Sequence, residues 1–304
     1  MSKKAFLFPG QGSQYVGMAK DLFDHSVEAK EMIKTADDAI GVNLSFIMFN
    51  GPEDKLKQTE FTQPAIFIHS LVLASLIRTL SPDAAAGHSL GEYSALVSAG
   101  ALQFYDAVKV VRERGKAMQQ AGIDNPGTMA AVVGLNSNIV DDLCKQASTE
   151  GIVQCANFNS PGQIVISGSV TGVKKAMELC KANGAKLVKE LIVSGAFHSP
   201  LMQSAKDSLL NALNSTPVYN AKFPVYANVS AKPVNNKEEI KKLLHEQVTS
   251  PVRWEETINN MITDGIDEFY EIGPGKVLQG LVKRINPDVK IFGIDKFEDV
   301  EKYL

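Results

Sequence analysis

The chain reads as an α/β protein: a parallel sheet covered by helices on both faces, carrying an inserted ferredoxin-like unit. Three observations point there. Short apolar strands alternate with helical patterns along most of the 304 residues, the order that builds parallel sheets. The stretch 126–196 instead runs strand, helix, strand, strand, helix, strand, which is the ferredoxin-like order. Between Ala84-Ala85-Ala86 and a helix stands Gly87-His88-Ser89-Leu90-Gly91, the small-x-Ser-x-Gly pattern of a strand–turn–helix elbow.

Each element follows from pattern. Residues 4–8 form a buried strand that runs into Pro9-Gly10-Gln11-Gly12-Ser13-Gln14, too rich in glycine for regular structure. That loop is no phosphate cradle: Tyr15 stands where the third glycine of G-x-G-x-x-G belongs, and no Gly-Lys-Ser/Thr follows. It is either a tight turn or a way to bring a backbone N–H, or the Gln11 amide, beside a site. Helical patterns cover 17–24, 26–40 and 64–80, then the helix after the elbow, then 104–121. Within the insert, strands are expected at 128–133, 153–158, 163–167 and 186–192, with helices at 137–149 and 170–182 and a turn at 159–162. Beyond it come a helix at 201–214, a strand at 224–229, helices at 237–248 and 253–264, a strand at 268–272, a turn at Gly273-Pro274-Gly275 onto a further helix, and a last strand at 290–293.

Composition bounds the function. A 44% hydrophobic and 21% charged chain is ordinary for a globular enzyme, and a net charge of -3 argues against nucleic acid. Cys144, Cys155 and Cys180 are odd in number and lack C-x-x-C spacing, so neither a disulfide framework nor a metal site is expected. No signal peptide is read, because Pro9-Gly10 cuts the first apolar run short. The apolar run 65–80 contains His69, Ser70 and Arg78 and is too short and polar to span a membrane. A cytoplasmic protein is expected.

Three residues carry candidate chemistry. Ser89 at a sharp turn would project its hydroxyl outward, flanked by glycines that let the two arms approach and by a helix start that favours negative charge. The plainer alternative is a serine that merely caps a helix. On the helix 104–121, at about 100° per residue, Arg114 falls inside the sector of Ala107, Val111, Met118 and Ala121. A core-facing guanidinium demands an anion, either an internal carboxylate or that of a ligand; the wheel alone favours the internal salt bridge. His198, in Ser194-Gly195-Ala196-Phe197-His198-Ser199-Pro200 where the insert rejoins the main body, is the best placed of the five histidines to act as a base. Its plainer alternative is a ring that satisfies loop carbonyls.

A series of stretches spans nearly the whole chain in order: Phe8-Pro9-Gly10-Gln11-Gly12-Ser13-Gln14, Gly87-His88-Ser89-Leu90-Gly91-Glu92-Tyr93, Arg114-Gly115-Lys116-Ala117-Met118-Gln119, Asn159-Ser160-Pro161-Gly162-Gln163, Gly195-Ala196-Phe197-His198-Ser199-Pro200, Pro251-Val252-Arg253-Trp254 and Glu271-Ile272-Gly273-Pro274-Gly275. Together they resemble the malonyl-CoA:acyl carrier protein transacylase family. The resemblance implies a large α/β-hydrolase-like domain, 1–125 and 197–304, with a ferredoxin-like subdomain, 126–196. It implies Ser89 as nucleophile, His198 as base, and Gln247 as the residue whose main-chain carbonyl orients that base. The N–H groups of Gln11 and Leu90 are implied as the oxyanion hole, Arg114 as the ligand of the malonyl carboxylate, and Phe197 as a malonyl-type substrate contact. The implied reaction passes malonyl from malonyl-CoA, through a malonyl-serine, to the phosphopantetheine thiol of acyl carrier protein, supplying fatty acid synthesis. The two thioesters are substrates; no cofactor, metal, nucleic acid or membrane is expected, and the chain is expected to act as a monomer. A serine hydrolase with the same elbow, and a non-catalytic docking scaffold, are the competing readings; the first does not account for Arg114 in an apolar sector or for the insert, and the presence of both Ser89 and His198 argues against the second.

Overall fold

The computed structural model describes residues 2–304. Two sheets organise it. The larger has the order β10-β9-β1-β2-β7-β8, formed by β1 (Lys3–Phe8), β2 (Ala84–Gly87), β7 (Val225–Tyr226), β8 (Pro233–Val234), β9 (Ile266–Ile272) and β10 (Lys290–Ile294). All its pairings are parallel except the edge pair of β7 with β8. The second is a four-stranded antiparallel sheet of order β4-β5-β3-β6, from β3 (Gly127–Val133), β4 (Val153–Ser160), β5 (Gln163–Ser169) and β6 (Leu187–Glu190). The fold is thus mixed α/β, with a sheet that is mainly parallel and another that is antiparallel.

The strand β1 shows why the first sheet is covered on both faces. Side chains alternate across a strand, and here both faces are apolar. Phe6 and Phe8 join one buried cluster with Phe67, Ile68 and Val72 of the helix Thr59–Leu76. Ala5 and Leu7 join the other, with Trp254 and Ile258 of the helix Trp254–Thr263 and Leu281 of the helix Val277–Ile285. A third cluster lies between the antiparallel sheet and the helices Ser137–Ala147 and Val170–Ala182, and holds the three cysteines, all unpaired. Among the described residues no helix is long and apolar enough to cross a membrane.

The structure departs from the sequence reading where a tertiary contact replaces a local signal. The apolar helix starts at Thr59, not 64, and keeps Pro64 inside it. Proline has no N–H to offer the carbonyl four residues back, and the orphaned Glu60 carbonyl accepts from Arg112 Nη1 instead. The strand expected at 224–229 is only Val225–Tyr226, because Asn228 leaves the sheet to bond the elbow. The turn expected at 159–162 is shorter: β4 continues to Ser160, and Pro161-Gly162 alone closes the hairpin, with Gly162 at φ +67°. Helices Leu44–Asn50 and Glu53–Leu56 had no counterpart in the reading; each is under two turns, too short for a periodic pattern.

Leu7 is fully buried at the middle of the larger sheet. Leu7→Ala is expected to lower stability by about 2–5 kcal/mol, seen as a lower urea midpoint at unchanged slope. A loss below about 1 kcal/mol would mean that this face of the sheet is not tightly packed.

Candidate active site

The elbow is built by close backbone approach. A Cβ on Gly87 would lie 1.8 Å from the Gly91 carbonyl carbon, and one on Gly91 would lie 2.0 Å from the Phe8 carbonyl oxygen. Only glycine fits at either arm. Ser89, between them, is held at φ +51°, a left-handed conformation that costs an ordinary residue energy. What holds it is Asn228: its Oδ1 accepts from the Ser89 N–H at 2.6 Å and its Nδ2 donates to the Gly87 carbonyl at 2.7 Å. The neighbouring His88 ring points elsewhere, with Nε2 2.9 Å from Asn159 Oδ1.

The Ser89 hydroxyl meets two groups. His198 Nε2 lies 2.8 Å from Oγ, and Arg114 Nη2 lies 3.1 Å from it. His198 is itself left-handed at φ +56° and buried. Its Nδ1 faces two carbonyl oxygens, of Gln247 at 2.9 Å and Ser250 at 3.1 Å. Two acceptors require a proton on Nδ1, which leaves Nε2 bare toward the hydroxyl. Gln154, on β4, donates to the His198 carbonyl at 2.8 Å and so braces the loop from the antiparallel sheet. Burial, and next the charge of Arg114, push the imidazole down to about 3.

Arg114 is 1% exposed and has no carboxylate within salt-bridge distance among the described residues. Its partners are neutral: Nη1 donates to Gln63 Oε1 at 2.6 Å and Nη2 to Gln247 Oε1 at 2.9 Å. The internal salt bridge favoured by the helical wheel is therefore absent. Burial disfavours the guanidinium's charge and lowers its pKa. Ser89, Arg114 and His198 line one cavity of about 230 Å³, shared with Gln11, Leu90 and Phe197. Neither the Gln11 nor the Leu90 N–H donates to another group among the described residues, and both residues line the cavity.

All seven residues singled out in the sequence, Gln11, Ser89, Leu90, Arg114, Phe197, His198 and Gln247, thus sit at or beside this cavity. Gln63, Glu92, Gln154 and Asn228 were not foreseen. Each is a polar residue in a buried apolar stretch, a pattern that flags an internal partner without naming it.

An acyl transferase domain model matches residues 5–290. The malonyl CoA-acyl carrier protein transacylase of Bacillus subtilis is 46% identical over 304 residues, covering 99% of this chain and 96% of that protein. The protein of the same name in Staphylococcus aureus is 46% identical, covering 99% and 98%. The solved malonyl CoA-acyl carrier protein transacylase of Coxiella burnetii superposes with a TM-score of 0.96 at 39% identity, covering 99% of this chain and 96% of that one. A malonyl-transacylase solved in complex with a type II PKS acyl-carrier protein gives 0.95 at 38% identity, covering 100% and 99%. The chain belongs to the malonyl CoA-acyl carrier protein transacylase family of acyl transferases.

Proposed function

We propose that this protein moves a malonyl group from malonyl-CoA to the phosphopantetheine thiol of acyl carrier protein by way of an ester on Ser89, and so supplies fatty acid synthesis. The observation that carries the reading is the meeting of a hydroxyl, a bare imidazole nitrogen and a guanidinium without a counter-charge within 3.1 Å in one cavity. The β-α-β-β-α-β order and antiparallel pairing of 126–196 support a ferredoxin-like subdomain. The elbow at the end of β2 supports an α/β-hydrolase-like body made of 1–125 and 197–304. Three unpaired cysteines agree with a reducing, cytoplasmic setting.

The steps follow from the geometry. Ser89 Oγ attacks the thioester carbon as His198 Nε2 takes its proton. The carbonyl oxygen becomes O⁻ and is met by the N–H groups of Gln11 and Leu90; each such donor is typically worth about 10²–10³ in rate. As the tetrahedral state collapses, the C–S bond breaks and the coenzyme A sulfur leaves with the proton from His198. The carrier thiol then gives its proton to His198, attacks the ester carbon and displaces Ser89, which recovers the proton. The reaction needs no resident cofactor, because coenzyme A arrives as part of the substrate.

Arg114 selects the acyl group. Its planar fork can grip the free carboxylate with two hydrogen bonds, and an acetyl group would leave a buried charge unpaired. Selection also reaches the base. The guanidinium's charge disfavours imidazolium, and a bound carboxylate neutralises that charge. The base therefore strengthens when the correct acyl group is present. Phe197, 7% exposed and lining the cavity beside His198, limits the space left for a bulkier acyl group.

Mixing with malonyl-CoA is expected to add one malonyl group to the intact protein's mass, mapped to Ser89, and Ser89→Ala is expected to abolish it. An adduct elsewhere, or free malonate formed without carrier protein, contradicts the reading. Arg114→Ala is expected to cut kcat/KM for malonyl-CoA by about 10²-fold or more and to affect acetyl-CoA far less; equal losses on both would remove the carboxylate clamp. In the empty enzyme, the His198 ring should remain neutral by nitrogen NMR as pH falls from 6.5 toward about 3. Across that window the unfolded chain binds a proton that the folded chain does not, so stability falls as pH falls. A titration midpoint near the ordinary imidazole value would show that the ring is not shielded as described.

A further inference from the structure

The reaction above uses Gln247 only through its main-chain carbonyl and does not use Glu92 at all. Both side chains are buried, Gln247 fully and Glu92 to 3% exposure. Glu92 lies in the first turn of the helix Gly91–Ser98, directly behind the elbow. Its Oε2 accepts from Gln247 Nε2 at 2.7 Å and from the Asn228 N–H at 2.9 Å. The same Gln247 nitrogen donates to the Ser89 carbonyl at 3.0 Å, while Gln247 Oε1 accepts from Arg114 Nη2 at 2.9 Å.

A carboxamide has two unlike ends, and its surroundings must choose between them. Turned over, Gln247 would set its oxygen against two acceptors, Glu92 and the Ser89 carbonyl. Its NH₂ would then face a guanidinium that can only donate. An ionised carboxylate can only accept, so it adds a charged constraint to those set by the Ser89 carbonyl and Arg114; a glutamine at 92 can accept or donate and withdraws that constraint. The carboxylate is costly in this position: burial pushes it up to about 7, against the pull of its hydrogen bonds and of Arg114.

We propose that Glu92 is a positioning residue for acyl selection: it locks the Gln247 carboxamide with its oxygen toward Arg114, and Gln247 in turn aims the guanidinium into the acyl cavity beside Ser89. This rests on the reading of Arg114 as the carboxylate clamp. Glu92 reaches neither the substrate nor Ser89 Oγ; it acts through Gln247 on Arg114, and through Asn228 on the elbow.

The test compares malonyl-CoA with acetyl-CoA as acyl donors to holo acyl carrier protein, in the full-length enzyme. Glu92→Gln keeps size and one acceptor oxygen. It is expected to lower the ratio of kcat/KM for malonyl-CoA over acetyl-CoA by about tenfold, the scale at which a misaimed group is felt. Gln247→Leu, which retains the main-chain carbonyl for His198, should lower the same ratio, and the double variant should lower it no further than the larger single loss. Should Glu92→Gln not fold, Glu92→Asp, which keeps the charge but withdraws it from Gln247, takes its place and is expected to lower the ratio in the same way. If Arg114→Ala collapses the ratio but Glu92→Gln and Gln247→Leu lower both donors equally, these residues are only structural and the proposal is overturned while the clamp stands. If Arg114→Ala leaves the ratio unchanged, the clamp fails and the proposal falls with it.

Discussion

One unneutralised charge governs this molecule. Arg114 is buried without a carboxylate beside it, and its terminal nitrogens end on Gln63, Gln247 and Ser89, all neutral. Neutral acceptors satisfy N–H groups but do not cancel the charge, and a lone buried charge is among the most expensive features a fold can carry. The fold accepts that cost through close packing. Gly115, next along the helix Phe104–Asp124, would set a Cβ only 2.8 Å from the Thr59 carbonyl oxygen. The two helices can therefore approach nearly backbone to backbone at this level, which brings Gln63 within reach of the guanidinium. Glu92 attracts the guanidinium only from the far side of Gln247, so no carboxylate touches it, and the proposed role of Arg114 is to take that direct partner from the acyl group.

Backbone strain is the second constraint, and it falls on the two residues whose side chains meet. Ser89 and His198 are both left-handed, at φ +51° and +56°. Such conformations persist only where the surroundings over-determine them. For Ser89 the determinants are steric on both arms and polar at its own N–H, from Asn228. For His198 they are polar throughout: Gln154 holds its carbonyl, and the carbonyls of Gln247 and Ser250 hold its ring. Carbonyls orient the imidazole as a carboxylate would, yet add no full negative charge to stabilise imidazolium. That leaves burial and Arg114 to dominate the His198 imidazole, and under the proposed function it ties base strength to whether the guanidinium is occupied.

How much of this could be read from residues alone depends on the range of the cause. Ser89 is legible because the glycines that permit its turn are two residues away on either side. Arg114 is legible because helical periodicity puts it on an apolar face, whatever lies opposite; only the opposite wall decides between salt bridge and ligand, and that wall is Gln63 and Gln247. The antiparallel unit is legible from the order of its elements. Glu92, Gln154 and Asn228 are not, because their partners lie 44 to 155 residues away and nothing local distinguishes a buried glutamine with a task from a solvated one. Pro64 misleads for the same reason: its local meaning is a helix start, and a distant arginine cancels that meaning by taking the free carbonyl.

The two sheets then have distinct duties. Ser89 follows directly on β2 of the parallel sheet, whereas the segment that holds the His198 ring is stitched to the antiparallel one. The Phe158 N–H donates to the Val252 carbonyl at 2.9 Å and the Val252 N–H to the Ala156 carbonyl at 2.8 Å, so the stretch that supplies the Gln247 and Ser250 carbonyls ends paired along β4. Gln154, on that same strand, braces His198 itself. Ser89 and His198, proposed above as nucleophile and base, are therefore held from different sheets, and the 2.8 Å between them depends on how those sheets pack. A cleft between two sheets can admit a long thioester arm without disturbing either hydrogen-bond ladder. It also explains why polar side chains that cross it, rather than apolar ones, carry the alignment: a directional bond fixes an angle as well as a distance, and proton transfer needs both.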